Sequence, residues 1–136
     1  MQQESNTSYM KYSIDKNEQY SILKLEEEKL DSPLSPALKS EFVTLNAEGV
    51  KNIIIDLSAV KYVDSSGLSA ILVGNRIYNE DGGIFILATL NDHVKKLIKI
   101  SQLNNVLNIL PTVAEAIDAV FLKEIESGLE EEDDIE

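Results

Sequence analysis

The sequence predicts one α/β domain built on a mixed, mostly parallel β-sheet. An N-terminal β-hairpin opens it, and about four α-helices follow in the order β-β-α-β-α-β-α-β-α. Three observations carry this. Two short period-two segments stand at the start, "YMKYSIDKN" and "QYSILKLEE", separated by the turn "KNEQ". Two continuous apolar runs follow, "VKNIIIDLSAV" and "GIFILATL", with the β-branched and aromatic content of strands covered on both faces. Segments with helical periodicity separate these runs, and strands that alternate with helices form parallel sheets.

Each helix has a local reason. "DSPLSPALKSEFVTLNAEG" aligns Leu34, Leu38, Phe42 and Leu45 on one stripe, begins with Ser and Pro, and stops at Gly49. "SGLSAILVGNRIYNE" follows the first buried strand and ends near "DGG". "NDHVKKLIKISQL" sets Val94, Leu97, Ile98 and Ser101 along one side and its lysines elsewhere. After the short strand "NVLNIL", the helix "PTVAEAIDAVFLKEI" opens with Thr112 and Glu115 at capping-box spacing and carries Val113, Ile117, Val120 and Phe121 on one face.

Length and charge set limits. With 136 residues, 43% hydrophobic and 26% charged, the chain is sized for one core. No signal peptide or membrane span is legible, so a cytoplasmic location without membrane insertion is expected. There are no cysteines, which removes disulfides and thiolate chemistry. The net charge of −12 lacks the basic footprint that direct nucleic-acid binding needs. Eight acids and no base lie between Glu124 and Glu136. The expected organisation is a disordered stretch over 1–8, a domain over 9–123 and a disordered acidic tail over 124–136.

No catalytic constellation emerges. The one histidine, His93, opens a lysine-bearing helix, and no nucleophile elbow, phosphate loop or metal-ligand spacing is present. Neither an enzyme nor a cofactor or metal is indicated. What stands out is "VKYVDSSGLSAIL", Val60 to Leu72. In the plain structural reading Ser65 or Ser66 caps a helix and Asp64 suits its positive end. Two details add to this. Gly67 in the first turn suggests close backbone approach or a demanding turn. The helix is also apolar over a wide arc, with Ser69 and Arg76 marking a narrow polar strip and Leu68, Leu72 and Val73 toward its edges. Surplus apolar surface beside a serine-bearing turn is the pattern of a docking site.

"IIIDLSAVKYVDSSGLSAIL" closely resembles the signature of the STAS domain, in particular the bacterial anti-sigma factor antagonists, also called anti-anti-sigma factors. The element order agrees with that fold, and the resemblance covers roughly Tyr9 to Leu122. It implies phosphorylation at Ser65, the serine directly after the aspartate, within a turn formed by Asp64, Ser66 and Gly67. It also implies a partner that is both anti-sigma factor and serine kinase, a serine phosphatase that resets the switch, and a monomeric transcription regulator without a cofactor. Partner binding is expected at Leu68, Leu72 and Val73 of the apolar arc and at Asp31, which ends "EKLD", a partial match to the family's Gly-Glu-Leu-Asp segment. The competing reading is a STAS-type subunit of a membrane lipid-transport complex, which docks without phospho-switching.

Overall fold

In a computed structural model the chain is described over residues 9–135, so the stretch 1–8 lies outside the described residues. Strands β1 (Tyr12–Lys16) and β2 (Ser21–Leu25) form the hairpin. A two-residue strand β3 (Lys29–Leu30) leads to α1 (Ser35–Ala47), β4 (Asn52–Asp56), a second two-residue strand β5 (Tyr62–Val63) and α2 (Ser65–Glu80). Then come β6 (Ile84–Ala88), α3 (Asp92–Ile100), β7 (Asn108–Leu110) and α4 (Val113–Ile135). The main sheet has the order β1-β2-β4-β6-β7, antiparallel only at β1–β2. This is the mixed, mostly parallel sheet with an N-terminal hairpin and four helices that the sequence predicts.

Alternation along β4 shows why the run "NIIID" is apolar throughout. Ile53 and Ile55 face the core built with α1, α2 and α3, where Leu38, Phe42, Ile71, Tyr78, Val94 and Ile98 are buried. Ile54 faces the other side, where Ala116 and Val120 of α4 close a smaller core with Ile86 and Ala88. Helices α1, α2 and α3 therefore share one face of the sheet, and α4 covers the other. Gly74 allows α2 to sit close: a Cβ there would come within 2.6 Å of the Phe42 ring and 2.7 Å of the Phe85 ring.

Two features differ from the sequence expectation. The strands β3 and β5 pair in parallel as a separate two-stranded ribbon, Lys29 with Tyr62 and Leu30 with Val63. At two residues each, neither can show a periodicity. The second difference is at the C-terminus, where a disordered tail was expected over 124–136 and α4 instead continues through the acids to Ile135. Glutamate and leucine are good helix formers, and within this stretch Gly128 alone opposes them strongly, by about 1 kcal/mol.

Candidate functional site

The Ser65 turn is built by the ribbon. Leu30 and Val63 are buried, which anchors both two-residue strands to the main core. The Glu28 carbonyl accepts from the amides of Lys61 and Tyr62 at 2.8 and 3.1 Å, and the Leu30 carbonyl accepts from the Asp64 amide at 3.2 Å. This ladder sets Asp31 beside Asp64, although 33 positions separate them in sequence. Glu28 stands where the family segment has glycine. Among the described residues, positive φ outside glycine occurs at Thr89 and Gln102 only, so Glu28 needs no glycine-like freedom.

Helix α2 then starts on an aspartate rather than a serine. Asp64 has extended backbone angles, and its carboxylate accepts from the Gly67 amide at 2.9 Å and from Ser66 Oγ at 3.0 Å. The expectation that a serine supplies the cap is corrected. Ser65 occupies the first helical position, after the cap, and is exposed. The hydrogen bond from the Gly67 amide, followed by bonds from Ser66 and from the Ser32 amide, holds the Asp64 carboxyl below the usual carboxylate range.

Gly67 has the role its position suggested. A Cβ there would collide with the Leu30 carbonyl oxygen and lie 2.8 Å from Leu30 Cγ. The first turn of α2 thus rests directly on the ribbon backbone, where only a residue without a side chain fits.

The predicted site residues divide into three groups. Ser65 is exposed, and Ser66 is half-buried in the cap. Asp31 is half-buried and uses its carbonyl to start α1, accepting from the Leu34 and Ser35 amides at 3.0 Å and from Ser35 Oγ at 2.8 Å. Leu68 is not surface: it is 8% exposed and packs in the main core. Leu68 is not surplus apolar surface, because the ribbon residues Leu30 and Val63 share its core. Leu72 and Val73 are half-buried, so the accessible strip of α2 runs through Ser65, Ser69, Leu72, Val73 and Arg76.

One neighbouring feature was missed from sequence. Tyr62 of β5 is 45% exposed and stacks on His93 of α3, with ring centroids 6.0 Å apart and 25° between planes. The Asn91 side chain donates to the Lys61 carbonyl at 3.3 Å, which ties the start of α3 to the ribbon. An alternating pattern would have exposed Tyr62, but β5 is too short to show one.

The STAS domain family model matches residues 11–116, from just before β1 to the first turn of α4. The chain belongs to the STAS domain family. A curated STAS relative from Thermotoga neapolitana, named as a candidate anti-sigma factor antagonist, is 30% identical over 73 residues. Those residues are 54% of this chain and 65% of the relative, so the match spans less than two thirds of that protein. The crystal structure of a candidate anti-sigma factor antagonist from Thermotoga maritima superposes with a TM-score of 0.70 at 25% identity, over 82% of this chain and 93% of the other. The Bacillus cell-fate determinant SpoIIAA, solved in its phosphorylated form, gives a TM-score of 0.63 at 23% identity, over 81% and 99% of the two chains. Among the described residues no helix of this STAS domain is long and apolar enough to cross a membrane.

Proposed function

We propose that this STAS domain is an anti-sigma factor antagonist, a binding protein switched by phosphorylation of Ser65. Unphosphorylated, it docks on an anti-sigma factor with serine kinase activity through the Ser65 turn and the outer strip of α2, and a sigma factor is released. A serine phosphatase restores the docking form. The observation that carries this reading is the division of labour at Asp64-Ser65-Ser66: Asp64 and Ser66 complete the cap, and Ser65 stands exposed beside it. A kinase can therefore modify Ser65 without dismantling the helix start. The family membership and the phosphorylated form of SpoIIAA support the same reading.

The cap also determines what a phosphate would do. It adds about −1.5 to −2 charge. The Gly67 amide of the helix start already bonds to the Asp64 carboxylate, which also takes the Ser66 hydroxyl. Like charges one residue apart repel, so a Ser65 phosphate turns outward, toward the docked partner. A partner would then have to desolvate it unpaired, at a cost of several kcal/mol, against ~1.4 kcal/mol for each tenfold in affinity. Asp31, held beside Asp64 by the ribbon, extends the contact on one side, with Leu72 and Val73 on the other.

The test is phosphosite mapping by mass spectrometry after incubation with the cognate kinase and ATP. A single phosphate on Ser65, absent from Ser65→Ala, supports the assignment. Undiminished phosphorylation of Ser65→Ala sinks it.

A further inference from the structure

Helix α4 is amphipathic twice. Ala116 and Val120 are its fully buried residues and face the sheet. Beyond Val120 it carries a second apolar set: Phe121, Leu122, Ile125 and Leu129 are 41%, 59%, 60% and 57% exposed. At about 100° per residue these four fall within an arc of about 100°, and Ile125 and Leu129 lie about 160° from the mean direction of Ala116 and Val120. The sheet cannot cover them. Phe121, at the border of the set, still touches the domain through Tyr20, ring edge to face at 6.0 Å.

The charge around this stripe selects its occupant. At the same spacing Asp118 falls within this arc and Glu126 borders it, both exposed, while Lys123 lies about 150° from its centre, and the chain has eight acids and no base from Glu124 to its end. A second copy would bring the same acids against each other, and nucleic acid or an anionic lipid surface would be repelled. The spacing of Leu122, Ile125 and Leu129 is that of one helix packing on another. We propose that the outer face of α4 is a second docking surface, which takes a cationic amphipathic helix of a partner protein. It lies on the face of the sheet opposite α2, so the domain can hold one partner at each face. This does not depend on Ser65 being the phosphoacceptor.

The test uses the full chain and a labelled synthetic peptide of about 20 residues, with leucine at a and d positions and lysine elsewhere. A scrambled peptide of the same composition serves as the comparison, and binding is read by fluorescence anisotropy. The expected result is tight binding of the ordered peptide, weakened at least about tenfold by scrambling or by Ile125→Ser with Leu129→Ser. Amide shifts should concentrate on residues 121–129 of α4 and leave α2 unmoved. Both replaced side chains are exposed, and circular dichroism confirms that the helix is retained. Asp118→Asn with Glu126→Gln, which keeps the stripe, should weaken binding and flatten its salt dependence. Equal binding of the scrambled peptide, indifference to the stripe variant, or a dimer that this variant dissociates would each overturn the proposal.

Discussion

Ser66 Oγ donates to Asp64 Oδ1 at 3.0 Å, across the same carboxylate that takes the Gly67 amide. Two adjacent serines with similar sequence surroundings thereby acquire different chemistry. Ser66 is engaged in holding the helix start, and Ser65 stands exposed outside that bond.

The cap is the first point to test. Asp64→Ala should cost about 0.5–2 kcal/mol in urea unfolding at pH 7, and Asp64→Asn, which also caps well, much less. The Asp64 carboxyl is held below the usual range by the Gly67 amide. Its charge-dependent stabilisation is therefore complete above the unfolded value of about 3.9 and is lost as pH falls through the folded value. Unfolding midpoints at pH 7 and pH 3 should differ less for Asp64→Asn than for the natural chain.

The two serines should separate in stability and in binding. Ser66→Ala removes a hydrogen bond and should destabilise by about 1 kcal/mol, whereas Ser65→Ala should fall within about 0.5 kcal/mol of the natural chain. Affinity for the anti-sigma factor, measured by calorimetry, should fall at least about tenfold in Ser65→Asp and hold in Ser65→Ala. Equal affinities would argue against a charge switch.

One substitution should act with opposite sign at two glycines. Gly67→Ala drives a methyl into the Leu30 backbone and should cost at least about 1–3 kcal/mol. Gly128 lies in α4 with nothing within 4 Å of its would-be Cβ, and Gly128→Ala should stabilise by about 0.5–1 kcal/mol. Thermal unfolding of the pair checks both.

Core and strip should respond differently along α2. Leu68→Ala should cost about 2–5 kcal/mol of stability while leaving the affinity of the folded protein near normal. Leu72→Ala and Val73→Ala, at half-buried positions, should cost less stability and more affinity.

Long elements were legible because their periodicity repeats. Ile53, Ile54 and Ile55 announce a strand covered on both faces, and Leu38, Phe42 and Leu45 announce the stripe of α1. The ribbon was not legible, since two residues give no period and its pairing spans a separation that sequence alone does not reveal. That omission explains the misplacing of Leu68. The cap was misassigned for a different reason. Asp, Ser and Ser are all good capping residues, and only the extended backbone of Asp64 shows which of them precedes the first turn. At the C-terminus the density of acids predicts disorder, whereas α4 continues through them as helix propensity favours.

The ribbon has a consequence for how the domain opens. Its two rungs are far fewer than those of the main ladder, and local opening begins where few bonds hold the chain. The Asp31 loop and the Ser65 turn should therefore loosen and tighten as one cooperative unit while the five-stranded sheet stays closed. An event at either end would register as a change in how fast the Asp64 amide trades its hydrogen with solvent, well before it altered the shape of the molecule.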